Sequence, residues 1–167
     1  MSGPLPLSHP AKLLGTWFGA GLSPKAPGTC GSIAALPFAW LIQVYFGNTG
    51  LFAAASSAFM VGWWVCHVYL KHTDTKDPQE MVIDEVSGQW LLLSFMPHTV
   101  IAYAVGLALF RFFDALKPWP IRVADRKIGG GFGVMFDDIL AALYPLAIFF
   151  IIQQAGYGDR ILQLIER

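Results

Sequence analysis

The sequence predicts an all-α fold, a multihelical bundle with apolar, membrane-associated helices. Three observations carry that expectation. Apolar residues make up 55% of the 167 and charged residues only 13%, against the ~25% charged share of soluble domains; mean hydropathy is +0.53. No Asp, Glu, Lys or Arg occurs in 26–70, 86–110 or 139–158, and a spanning helix needs ~20 mostly apolar residues. The charge gathers instead in islands: nine of the 22 Asp, Glu, Lys and Arg residues fall between Arg111 and Asp138.

The length suits one domain over 1–167. Net charge is zero, so there is no electrostatic footprint for nucleic acid. The opening MSGPLPLSHPAK lacks a basic region followed by an apolar one, and no cleaved signal peptide is expected. Cys30 and Cys66 lack metal-ligand spacing and read as small buried residues. The dispersed His9, His67, His72 and His98 are assigned no role.

Taken in order, residues 1–12 hold three prolines and predict an irregular tail. Residues 13–20 predict a short apolar helix. Residues 21–32, with two prolines and three glycines, predict a loop. A helix then runs over 33–46, capped by Ser32 and kinked at Pro37. Gly47-Asn48-Thr49-Gly50 is a turn, and 51–70, rich in small residues, is the second arm of a helical hairpin.

A further helix is expected over 79–95, starting near Pro78 and carrying Asp84 and Glu85 about two turns in. Met96-Pro97-His98-Thr99 reads as a turn before a helix over 99–115; one long kinked helix is the alternative. Residues 117–138 read as a loop through Gly129–Gly133. The last apolar helix covers 137–154, and 155–167 is a short amphipathic end.

The chemistry starts with the acids. Asp84, Glu85, Asp114, Asp137 and Asp138 all border apolar segments, where carboxylates are uncommon unless paired or metal-bound. Hard oxygen donors of this kind suit Mg²⁺, which takes few protein carboxylates and leaves room for water and phosphate. Neighbours on a helix stand ~100° apart, so Asp84 and Glu85 are expected to point apart, one to metal and one to a base. Arg111, Asp114 and Lys117 are spaced to share a helix face. Lys117 at the helix end and Arg122 beyond it are candidates to clamp phosphate oxygens. Arg126 and Lys127 read as surface residues. Thr29 and Ser32, in a glycine loop before a helix start, are candidate phosphate donors; the same stretch also reads as a plain turn with its cap.

These stretches together resemble a family. GLSPKAPGTCGS (21–32), VIDEVSGQW (82–90), FRFFDALKPWPIRVAD (110–125) and GGGFGVMFDD (129–138) resemble phosphatidylglycerophosphatase A, with no departure at the charged motif positions. The resemblance implies an all-helical, Mg²⁺-dependent phosphatase that removes the phosphate monoester of phosphatidylglycerophosphate. It also implies a bacterial inner-membrane location with the site on the cytoplasmic side. On this reading Asp84, Asp114, Asp137 and Asp138 hold metal, Glu85 or Asp138 orients water, and Lys117, Arg122, Thr29 and Ser32 hold substrate. For these acids to meet on one side of a membrane, 86–110 cannot cross once, so the Met96–Thr99 break has to be a true turn. A non-enzymatic membrane scaffold is the main rival. A phosphoalcohol transferase lacks its expected Asp-Gly and Asp-x-x-x-Asp pattern here.

Overall fold

The computed structural model describes residues 5–75 and 78–155. The amphipathic end expected over 155–167 lies almost wholly outside them. Six α-helices follow in order, with no strand among the described residues.

α1 (Pro10–Gly15) has proline in its first turn, and the His9 ring accepts the Ala11 N–H at 3.2 Å. It starts earlier than expected and ends before Trp17 and Phe18, whose φ values of 47° and 57° cannot continue a right-handed helix. A 3-10 turn, Ala20–Leu22, leads to α2 (Pro27–Tyr69).

The start of α2 corrects the expected loop over 21–32. The helix begins at Pro27, not Ile33, and Ser32 lies inside it rather than capping it. The glycines are there for close approach. A Cβ on Gly31 would stand 2.6 Å from the Val82 side chain. That contact outweighs the ~0.5–1 kcal/mol that glycine costs a helix interior.

Within α2 only Gly47 (φ 66°, ψ −169°) leaves helical geometry, so it carries the break, and Pro37 lies inside the first arm. The chain reverses there. In the first arm Gly28 lies against Glu85, while in the second Gly62 lies against Ile83. Between them, the Gln43 amide reaches the Leu93 and Met96 carbonyls at 3.3 and 3.4 Å. Both arms therefore flank α3 and return to its start, which is the hairpin expected from the turn at 47–50. Each arm is ~20 residues, or ~30 Å, about the thickness of a bilayer's hydrocarbon core.

α3 (Ile83–Leu93) starts later than expected, which puts Asp84 and Glu85 in its first turn rather than two turns in. The partial positive charge of a helix N-terminus favours carboxylates there. The break at 94–99 is a true turn, and the Thr99 hydroxyl caps α4 (Val100–Leu116) by accepting the Ala102 N–H at 3.2 Å. At this far end Tyr103 donates to Gln43 Oε1 at 2.6 Å, and Gln43 donates to Asn48 at 2.7 Å.

The expected loop over 117–138 contains two helical pieces instead. α5 (Ile121–Lys127) buries Ile121. α6 (Gly130–Gln154) starts well before Asp137. Its glycines again mark tight packing: a Cβ on Gly131 would stand 2.5 Å from the His67 nitrogen, and one on Gly133 would stand 2.1 Å from the Ile128 oxygen.

The core joins α2, α3, α4 and α6 around Phe110, Leu92, Leu93 and Trp90, whose indole donates to the Ala35 carbonyl at 3.0 Å. Two helices, α2 with its 3-10 extension and α6, are long and apolar enough to cross a membrane. Only 28% and 39% of their apolar windows are buried, so most of that surface faces outward. Core helices of a soluble protein bury theirs.

Candidate active site

Three helices bring their charged residues to one end of the bundle. The first turn of α3 supplies Asp84 and Glu85, the last turns of α4 supply Arg111 and Asp114, and α6 supplies Asp137 and Asp138 two turns in. The first turn of α2 closes the side, because Gly28 has no side chain to keep it from Glu85 and Arg111. A cavity of about 430 Å³ lies among these groups, lined by all five acids together with Arg111 and Lys117.

Asp84, Glu85 and Asp138 each offer an oxygen within 4.8 Å of the others'. Asp84 and Glu85 are expected to point apart, yet their carboxylates converge on one cluster. Asp84 Oδ1 also accepts the Glu85 N–H at 3.0 Å. The expected pairing of one of the two with a base does occur. Arg111 Nη1 lies 3.4 Å from Glu85 Oε1 and 2.7 Å from Asp114 Oδ2. Lys117 Nζ lies 2.6 Å from Asp137 Oδ2 and 2.8 Å from Asp125 Oδ1. Of the candidate metal ligands, Asp114 and Asp137 are thus engaged by bases, while Glu85 joins Asp84 and Asp138.

The electrostatics of this trio are unfavourable without a cation. Two like charges at about this spacing repel by ~3 kcal/mol at an effective dielectric near 20. Burial pushes the Asp84 carboxyl well up, and the Glu85 and Asp138 charges push it further. Burial also raises Glu85, partly offset by the Asp84 hydrogen bond and Arg111. Glu85 Oε2 and Asp138 Oδ2 are buried with no hydrogen-bond partner. An orphaned buried carboxylate oxygen is costly, and a divalent cation would satisfy both. The donor set therefore fits a hard metal ion. Lys117 is pulled down by burial, but its bonds to Asp125 and Asp137 outweigh that and leave it raised, so it stays cationic.

The other sequence candidates lie further out. Thr29 is in the first turn of α2, half-buried. Ser32 is buried, with its hydroxyl unpartnered. Arg122 is exposed on α5 and lines neither large cavity. Arg111 and Asp125 had no site role in the sequence reading. The spacing of Arg111 with Asp114 and Lys117 was the available signal for the first. Asp125 carried none beyond its place in the charged island.

The sequence profile of the family described as phosphatidylglycerophosphatase A matches residues 13–153. The chain belongs to the phosphatidylglycerophosphatase A family. It is 38% identical over 149 residues to Phosphatidylglycerophosphatase A of Escherichia coli (strain K12), covering 89% of this chain and 86% of that one. With Phosphatidylglycerophosphatase A of Haemophilus influenzae it shares 36% identity over 148 residues, 88% of this chain and 91% of the relative. A Bacteroides thetaiotaomicron protein named, provisionally, a phosphatidylinositol-3-phosphatase is 36% identical over 149 residues, 81% of this chain and 89% of its own. No solved structure matches. The resemblance read from the four motifs is borne out, and phosphatidylglycerophosphatase A membership makes the chain a phosphatase.

Proposed function

We propose that the chain is a Mg²⁺-dependent phosphatase that hydrolyses the monoester of phosphatidylglycerophosphate to phosphatidylglycerol and inorganic phosphate. The observation that carries this is the convergence of Asp84, Glu85 and Asp138 beside the Lys117 ammonium, with two carboxylate oxygens buried and unpartnered. Names of two relatives supply the substrate.

Asp84, Glu85 and Asp138 would hold the ion, and Asp114 and Asp137, each paired with a base, line the same cavity. When bound, Mg²⁺ supplies charge neutralisation and polarisation of the phosphoryl oxygens. The protein does the rest. Lys117 exchanges a carboxylate partner for a phosphoryl oxygen and stabilises the charge that gathers there. Arg111 holds Glu85 and Asp114 in place. Asp138 or Glu85 orients the attacking water and accepts its proton. Water bonds to phosphorus as the bond to the glycerol oxygen breaks, and the carboxyl returns the proton it took to that leaving oxygen. Gly28, in the first turn of α2, lines the same cavity and offers it a helix N-terminal N–H.

The outward-facing apolar surface of α2 and α6 supports membrane association. The bacterial relatives and the basic residues around the site favour the inner membrane with the site on its cytoplasmic face.

The test is phosphate release from phosphatidylglycerophosphate in mixed micelles, titrated with Mg²⁺, against a panel of other lipid monoesters that includes phosphatidylinositol 3-phosphate. Release that depends on Mg²⁺, stops with chelator and favours phosphatidylglycerophosphate is expected. Undiminished release in excess chelator would overturn the metal reading, and preference for another lipid would overturn the substrate.

A further inference from the structure

A second cavity, of about 810 Å³, adjoins the acid-lined one, and Lys117 and Asp137 form part of both walls. We propose that it is the subsite for the substrate's glycerol phosphodiester, the spacer with its one free hydroxyl and the diester phosphate that link the scissile monoester to the lipid. The inference rests on the acid cluster being the phosphatase centre.

Connectivity is the first argument. The spacer is covalently bound to the monoester, so its subsite has to begin within a few ångströms of the metal site and share a wall with it. Lys117 supplies that wall, its Nζ standing between Asp137 at 2.6 Å and Asp125 at 2.8 Å.

The lining chemistry is the second argument. Thr73 and Asp74 come from the segment after α2, and Asp125 and Arg126 from α5. Carboxylates and threonine hydroxyls accept a hydrogen bond from the spacer's hydroxyl, and a guanidinium takes the non-bridging oxygens of a phosphate diester. Arg126 makes no ion pair among the described residues.

Charge sets the occupant. Lys117 and Arg126 face Asp74, Asp125 and Asp137. Two cations against three carboxylates disfavour a free phosphate dianion and suit a spacer with a donor hydroxyl and a single negative charge.

The test uses the full-length protein in detergent and deacylated phosphatidylglycerol (glycerophosphoglycerol), a soluble headgroup with neither scissile monoester nor acyl chains. It is expected to inhibit phosphatidylglycerophosphate hydrolysis competitively in the wild type. Arg126→Gln and Asp74→Asn each weaken that inhibition about tenfold and raise KM for phosphatidylglycerophosphate by a similar factor, with kcat held within twofold. Preference for phosphatidylglycerophosphate over phosphatidic acid, which has the monoester and no spacer, falls in step. Three results would overturn the subsite: no competition in the wild type, loss of kcat rather than KM, or weakened inhibition by inorganic phosphate alone. The last identifies a product-release site instead. Absence of any hydrolysis by the wild type would sink the phosphatase reading and not the subsite alone, and glycerophosphoglycerol binding followed by calorimetry then tests the cavity by itself.

Discussion

Gly28 lies so close to Glu85 that a Cβ built on it would stand 2.1 Å from Glu85 Oε1 and 2.9 Å from the Arg111 guanidinium. The first turn of α2 thus presses its backbone directly on the ion pair that holds one side of the acid cluster. Gly28→Ala is expected to raise helix propensity yet displace Glu85. Displacements near 1 Å cost ~10²-fold in activity when they affect catalytic geometry. Measured kcat falling by about that factor while the protein stays folded by circular dichroism supports the contact; full activity refutes it.

Asp138→Asn removes one of the three converging carboxylates while keeping its size. Phosphate release is expected to fall by at least ~10²-fold, the scale on which single electrostatic groups act in catalysis. Thermal stability without divalent ions should hold or rise, because a like charge has been taken from beside Asp84. Near-normal turnover would remove Asp138 from the site.

The raised carboxyls set a pH dependence. Asp84 and Glu85 titrate above their ordinary values in the folded chain, mainly through burial. Folding therefore takes up protons between the ordinary carboxylate range and the raised values. Without divalent ions, stability is greatest at the acid end of that window and falls as pH rises through the raised values. A cation that needs the carboxylates ionised binds better as pH rises. Melting curves in chelator and in Mg²⁺, taken from pH 5 to 8, should diverge progressively. Parallel curves would count against the cluster as the cation site.

Lys117→Met strips the ammonium from between Asp125 and Asp137. It leaves Asp137, only 6% exposed, without that partner. Breaking a fully buried ion pair costs ~3–5 kcal/mol, and the partial exposure of Lys117 reduces this to roughly 1–2 kcal/mol. Activity should fall far more than stability. The comparison of kcat with the denaturation midpoint measures both.

Residues at the two ends of the bundle should label from opposite sides of a membrane. Cysteines introduced at Lys127, near the site, and at Thr49, beside the α2 reversal, in a background lacking Cys30 and Cys66, provide the readout. Labelling of both by an impermeant reagent from one side would disprove the arrangement.

The acids were legible because carboxylates beside apolar runs stand out against so little other charge. The α2 hairpin and the 96–99 turn were legible because Gly47-Asn48-Thr49-Gly50 and Pro97 punctuate apolar stretches. The helical glycines were not. Gly28, Gly31, Gly131 and Gly133 read as loop from propensity alone, and only packing against Glu85, Val82, His67 and Ile128 shows that they serve close approach inside helices. The convergence of Asp84 and Glu85 depended on where α3 starts, a boundary that propensity places poorly. Arg126 rather than Arg122 faces a cavity, a choice fixed by the unforeseen α5.

The reversal at Gly47 has a bearing on how the protein is made. The stretch from Ala26 to Leu70 carries no Asp, Glu, Lys or Arg, and its two arms begin and end at the same level. A nascent chain can hand this pair to the bilayer as one loop, tip first, and leave both roots where they started. The α3–α4 pair repeats the arrangement with Asp84, Glu85 and Asp114 at its roots. On the proposed cytoplasmic placement of the site, none of its acids has to be hauled through oil during biogenesis.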